Sequence, residues 1–558
     1  MKQPKFRLIA GLVVLVALLS SCAKLPTSSE VKVGSDIQSG LTADYLYYSP
    51  SGPSEDASQT DIINGFLNAA TGPQNDYQVA REYLAGNLAA EWNPSNELLI
   101  AEARPVIAMT GETSASISFN ALARIDSDGR YHDLGAGLKR VLNYEFTNAS
   151  GQWRLSGAPG ATVLVRPVFD VLFKSYSLYF YDKQNRYLIP DLRWYATRVS
   201  TSTRLVSALL AGPSVWLSDA VQTAFPSKTK LAIDSVTVED GTAIVDLDSS
   251  ANHATVYERQ RMLTQLTATL TQLANIFDVE IRIDHIPQKI TNLPYEVSLA
   301  TNPDPIVLTA DGFKALTASN TLMKEADKAA ASWAANDFAI NNQQTLLALK
   351  SSLGVGVVRL TGADRSIVAV DTRAKLLNPA IDPQGFIWTL GAQSDSALQA
   401  LSADGAMHYS LLGWLGAYEH KSMAISREGG RIAFLVESNG KRRLLVSAIV
   451  RSSAGVPISV SAPIEVAQNQ FLTGAITWID DTTIGAITRD AKGLTFPVYL
   501  QVGGETKKFS PVANAVSVAA NGIYTSAYVL DTSQNLFVLR SMTWINSDSK
   551  VLAIHFAG

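Results

Sequence analysis

The sequence predicts a multidomain protein: two α+β domains in succession, then an all-β propeller. Three observations carry this. The 558 residues are 47% apolar and only 17% charged, the composition of a folded chain long enough for several domains of roughly 100–200 residues each. Between about residues 56 and 300, apolar residues at helical spacing are interleaved with strictly alternating, strand-like runs. Beyond about residue 301 a strand, polar turn, strand scheme recurs every 40 to 50 residues or so, the length of one four-stranded blade.

Residues 1–21 read as an export signal. Lys2, Lys5 and Arg7 form a positive n-region, and Leu8 to Leu19 an apolar stretch of about a dozen residues, too short to span a bilayer comfortably. The stretch ends in Leu19-Ser20-Ser21-Cys22, and Cys22 is the one cysteine of the chain. This run resembles the lipobox of bacterial lipoproteins. The resemblance implies signal-peptide cleavage between Ser21 and Cys22, an S-diacylglycerol thioether and an N-palmitoyl group on Cys22, and a lipid anchor at the extracytoplasmic face of the cell membrane. More than one acyl chain is what makes such anchoring stable. With that thiol committed to lipid, the exported domains must fold without disulfides, on buried cores alone. A net charge of −4 leaves no basic footprint, which argues against nucleic acid as a partner.

Residues 22–55 form the lipidated cysteine and a tether rich in Ser, Gly, Pro and Thr, interrupted by Tyr45-Leu46-Tyr47-Tyr48, an expected edge strand. In 56–170, Asp61 or Thr60 is placed to cap a helix with Ile62, Ile63, Phe66 and Leu67, and a second helix is expected over Val79, Ala80, Tyr83 and Leu84. Strand signals follow on either side of Asp126-Ser127-Asp128-Gly129 and Asn148-Ala149-Ser150-Gly151. Helices before a curled antiparallel sheet resemble the cone-like fold of nuclear transport factor two.

In 171–300, Leu178-Tyr179-Phe180-Tyr181 leads through Leu188-Ile189-Pro190 to a helix with Leu205, Ala208 and Leu209. A hairpin around Asp240-Gly241, a helix with Leu263, Leu266, Leu270 and Leu273 on one face, and the strand Val279-Ile281-Ile283 complete it. Leu209-Leu210-Ala211-Gly212-Pro213, Phe225-Pro226, Asp240 to Leu247 and Arg261 to Leu270, in that order, resemble the GerMN domain of sporulation and germination proteins. In 301–558 the repeat is carried by 379–388, 423–434, 477–486 and 516–524, the second copy similar to a blade of the TolB type. Five or six blades fit that length, and a pair of β-sandwiches is the alternative.

Chemistry leaves few traces. His132, His253, His285, His408, His420 and His555 share no metal-binding spacing, and neither a nucleophile elbow nor a phosphate loop is present. The expectation is a protein that is not an enzyme, with no catalytic residue, metal or cofactor. Asp126-Ser127-Asp128-Gly129 opens like a calcium loop but lacks the later Glu, so it reads as a hairpin turn. Asp246-Leu247-Asp248 reads as a strand end and cap, not a metal site. Lys441-Arg442-Arg443 is either a solvated edge or a contact for anionic lipid or wall polymer. Trp388, Trp414, Trp478 and Trp544 are either core residues, the better account for Trp388 and Trp478, or a sugar-stacking face.

Lipobox, tether, GerMN domain and propeller, in that order, resemble the LpqB-type lipoproteins of actinobacteria. The resemblance implies an accessory role beside an MtrA/MtrB-type two-component system: contact with the extracytoplasmic domain of the MtrB-type sensor histidine kinase, and through it an effect on cell-wall homeostasis and division. The alternatives are a module that binds peptidoglycan or its fragments and, further off, an envelope glycosidase or other hydrolase.

Overall fold

In a computed structural model of the protein, the residues described are 50–72, 77–94, 96–198, 200–291, 304–316, 323–468, 470–522 and 527–558. The expected signal peptide, the expected Ser21–Cys22 cleavage site, most of the expected tether and the run Tyr45 to Tyr48 lie outside them. All described residues belong to one unit, Tyr45–Gly558.

The first domain begins with helix Gln59–Ala69, whose buried face is Ile62, Ile63, Phe66 and Ala69. Its cap is Ser58 rather than Thr60 or Asp61. The Ser58 hydroxyl accepts from the Asp61 amide at 3.2 Å and the Asp61 carboxylate accepts from the Ser58 amide at 3.2 Å, a reciprocal capping box. The second expected helix is cut to one turn, Gln78–Arg81. The chain turns extended there because Tyr83 and Ala85 exchange main-chain hydrogen bonds of 2.8–2.9 Å with Leu155, so Leu84 bridges a strand instead of continuing the helix. The sheet runs Gln152–Gly157, Tyr131–Ala149, Ser114–Asp126, Glu97–Ala101, Thr162–Val165, with Val106–Gly111 also on Ser114–Asp126. Strand Ser114–Asp126 buries every second residue, and Ile117 and Phe119 join Phe66, Tyr144 and Phe146 in one core.

The second domain pairs Thr242–Leu247 in parallel with Asp278–Ile283, helix Val256–Leu270 lying between them in sequence. Asp240 (φ 47°) and Gly241 (φ 80°) supply the positive φ that the two-residue turn before Thr242 requires. A second sheet places Phe173–Asp182 between Leu188–Ala196 and Val221–Gln222. Leu188–Ile189–Pro190, expected as a link, is the start of a nine-residue strand buried along its whole length.

Among the described residues, the remainder is a propeller of six sheets. Its innermost strands, Asp337–Ile340, Ala380–Ile381, Glu419–Ile425, Leu472–Trp478, Ala515–Ala520 and Ala553–His555, follow one another around a ring, the last beside the first. Closure comes from opposite ends of the domain: Ala553–His555 pairs antiparallel with Ile306–Thr309, which pairs with Gly312–Ala315. A ring joined in this way, rather than a pair of sandwiches, leaves no terminal blade unpacked, and the edges that remain are the short outer strands of the blades. The sequence repeat is the turn after each inner strand. There a polar side chain accepts main-chain amides: Asn341 from Thr345 (2.8 Å), Asp382 from Phe386 (2.8 Å), Ser426 from Arg431 (2.9 Å) and Asp480 from Thr482 (2.8 Å).

Candidate functional site at the three-domain junction

Strand Leu188–Ala196 sits where the three domains meet. Trp194 donates its amide to Gly129 O in the first domain (2.7 Å) and its indole N–H to Gly503 O in the propeller (2.9 Å). Tyr195 donates its hydroxyl to Asp128 O (3.2 Å), and Arg130 its Nε to Ser214 (3.2 Å). From the propeller, Ala448 is built into the core of the second domain, and Trp216 packs against both that core and a propeller core. Seams that share apolar residues in this way behave as interior, not as loose domain contacts.

The same strand carries a buried ion pair. Arg193 and Asp191, 2% and 4% exposed, meet at 2.5 and 2.9 Å through both nitrogens of the guanidinium fork. Asp191 also accepts from the Ser214 amide (2.6 Å) and hydroxyl (2.9 Å), which uses its remaining lone pairs and makes burial of the charge tolerable.

Beside this pair lies a cavity of about 380 Å3 walled by all three domains. The first domain contributes Arg124, Arg130, His132 and Asp133, the second Asp191 and Trp216, the propeller Arg431, Glu465 and Gln468. Burial pushes the Asp133 carboxyl above the usual range, against hydrogen bonds from Gly135 and Gln468. Burial acts the same way on Asp126, but the hydrogen bonds from His132 and Arg130 outweigh it and hold that carboxyl low. A second cavity of about 400 Å3 lies among the six inner strands of the propeller, with Ala424, Gly474 and Ala519 in its wall. Of its charged groups, Asp337 is taken up by His555 at 2.7 Å, and Arg427 donates to Ile479 O at 2.8 Å.

Three family profiles match consecutive stretches of the chain: "Lipoprotein LpqB, N-terminal domain" over residues 52–170, "Sporulation and spore germination" over 177–289, and "Lipoprotein LpqB beta-propeller domain" over 307–550. The chain belongs to the LpqB lipoprotein family. Lipoprotein LpqB of Bifidobacterium longum is 26% identical over 455 residues, 79% of this chain and 77% of that one. Lipoprotein LpqB of Cutibacterium acnes is 24% identical over 538 residues, 90% of each chain. Among solved structures, the first GerMN domain of the sporulation protein GerM from Bacillus subtilis is similar at 25% identity, with a TM-score of 0.19, over 23% of this chain and 98% of that domain. LpqB lipoproteins are membrane-anchored envelope proteins, and none of the three descriptions is that of an enzyme family. Among the described residues no helix is long and apolar enough to cross a membrane.

In this LpqB fold the residues weighed from sequence are scattered. Cys22 lies outside the described residues. Asp126 to Gly129 form a hairpin turn on the junction side of the first domain, where Asp126 accepts from the amides of Asp128 and Arg130. Asp246 holds His285 (2.5 Å), and Asp248 caps the short helix Ser249–His253. Trp388 and Trp478 are buried, their indoles donating to Asp382 (2.8 Å) and Ala424 O (3.2 Å), so neither forms a sugar face. Lys441 to Arg443 start a strand at a hairpin tip, with Arg442 on Glu437 at 2.8 Å and Arg443 on Glu465 at 3.9 Å. Sequence reasoning missed Asp191, Arg193 and Arg431. The signal for the first two was present as two charged residues inside an otherwise apolar run, Leu188 to Tyr195.

Proposed function

We propose that this protein is a lipoprotein held at the extracytoplasmic face of the membrane through lipidated Cys22, and that it modulates an MtrB-type sensor histidine kinase and so cell-wall homeostasis and division. The observation that carries the reading is the joining of three domains around one junction, in a chain of the LpqB family. A body built that way presents fixed surfaces to a partner in the adjacent membrane layer. Anchoring and tether together raise the effective concentration of those surfaces at a neighbouring receptor, so weak contacts suffice. The propeller face and the second domain are the candidate contact surfaces.

Photo-crosslinking in native membranes, with probes on the propeller and the second domain followed by mass spectrometry, tests it. Capture of a kinase ectodomain that fades in the Cys22→Ala variant is the expected result. Recovery of wall fragments alone would replace the kinase reading with that of a peptidoglycan-binding module.

A further inference from the structure

The junction cavity, at about 380 Å3, is in the size range of small-molecule sites. Arg431 forms part of its wall with a side chain only 2% exposed. Its Nε donates to Glu428 at 2.8 Å and its guanidinium lies 4.7 Å from the centre of the Trp478 ring. Nη2 finds no acceptor among the described residues. A buried guanidinium N–H left without an acceptor is costly, and native structures keep such groups rarely and for a reason.

Charge decides what the cavity takes. Around it Arg431 is met by Glu428, Arg130 by Asp128 at 2.8 Å, Arg124 by Glu97 at 3.9 Å and His132 by Asp126 at 2.8 Å. Asp191 is met by Arg193 and Glu465 by Arg443 at 3.9 Å. The remaining acid, Asp133, accepts from the main-chain amides of Gly135 (3.1 Å) and Gln468. No spare positive charge is left to draw an anion, and the carboxylates of the wall are already engaged by arginines or by main-chain amides. What the wall retains is hydrogen-bonding capacity beside the half-buried ring of Trp216.

We propose that this cavity is a binding site for a neutral, hydroxyl- and amide-bearing saccharide of one or two rings, whose acetamido or hydroxyl oxygen accepts from Arg431 while its hydroxyls reach Asp133. Because its wall is drawn from three domains, an occupant stabilises their joined arrangement over any separated one. The site rests on the cavity and stands whether or not a kinase is the partner.

The test is calorimetry on the full lipidated chain in nanodiscs with N,N′-diacetylchitobiose as probe. Binding is expected, weakened at least tenfold by Gln468→Trp, which places a ring at the exposed rim of the cavity, and by Arg431→Lys, which removes Nη2. Lys328→Ala, on helix Met323–Trp333, of which no residue lines the cavity, should leave it unchanged, and glucuronic acid and inorganic phosphate should not compete. Absence of binding, binding that Gln468→Trp leaves intact, or displacement by either anion overturns the proposal. Should Arg431→Lys fail to fold, Gln468→Trp decides alone, since its site is exposed and touches no core. No kinase is present in this experiment, so its outcome and that of the crosslinking are separate.

Discussion

Replacing Asp382 with alanine removes the centre of one buried network and should unfold the propeller at markedly lower temperature. The Asp382 side chain is fully buried and takes three hydrogen bonds: from the Phe386 amide (2.8 Å), the Trp388 indole (2.8 Å) and Nη2 of Arg451 (2.6 Å). Arg451, itself 6% exposed, also donates to Gly429 O and Gly455 O, which orient it but do not neutralise it. Breaking a buried ion pair from one side costs about 3–5 kcal/mol, because the abandoned charge stays buried. Two further hydrogen bonds, from neutral donors, at roughly 0.5–1.5 kcal/mol each bring the loss to about 4–8 kcal/mol. For a propeller of this size that corresponds to a fall in Tm on the order of 10–20 °C. Near-UV circular dichroism of the full chain measures it. The companion is the double variant Asp382→Ala with Arg451→Met, which removes the stranded charge and should recover at least about 1 kcal/mol relative to the single variant. A single variant that loses under about 1 kcal/mol, or a double variant less stable than the single, would refute the argument that the pair's cost lies in the unpaired arginine.

Three further outcomes follow from particular residues. Gly474 has φ 73° and a Cβ there would stand 2.0 Å from Val516 O on the next inner strand, so Gly474→Ala should cost on the order of 3 kcal/mol in a denaturant titration, far above a surface change. Thr255→Ala deletes the hydroxyl that accepts from Glu258 N (3.3 Å) and half the capping box of Val256–Leu270, which should lower stability by about 1 kcal/mol in the same assay. Asp133 has a folded-state pKa raised by burial, so its stabilising contribution is full below the unfolded value of about 3.9 and is lost as pH rises through the folded one. Asp133→Asn should therefore raise Tm slightly at pH 7, and melts repeated below about pH 3.9 should show the gain gone.

What was legible in the sequence was periodic. The blade repeat is read from polar turn residues because each does the same work after an inner strand, and Asp382 and Ser426 mark it plainly. Its first copy, at Asn341 to Thr345, escapes because amide side chains replace the acid and the glycine. The blade count needed a long-range fact: Ala553–His555 completes a sheet begun at Ile306, some 250 residues earlier, and no local pattern announces that pairing. Helix Gln59–Ala69 was legible from its apolar face, whereas the second helix failed because a tertiary strand contact at Leu155 overrode helical spacing at Tyr83 and Leu84. The junction was least legible, since a cavity between domains has no spacing in one chain.

The same long-range character gives the junction its physical consequence. Trp194 bonds both neighbours, Trp216 lies in two cores, and Ala448 belongs to a propeller strand yet completes the core of the second domain. Separating the domains would expose those apolar surfaces at about 25 cal/mol per Å2 and leave the indole of Trp194 and its carbonyl partners to find water. The penalty resists hinge motion about strand Leu188–Ala196, so a force or ligand applied to the first domain is carried to the propeller as displacement of a whole body. Such transmission needs no moving part within the protein. It needs the seam to stay shut, which is the term that occupation of the cavity beside Arg431 would strengthen.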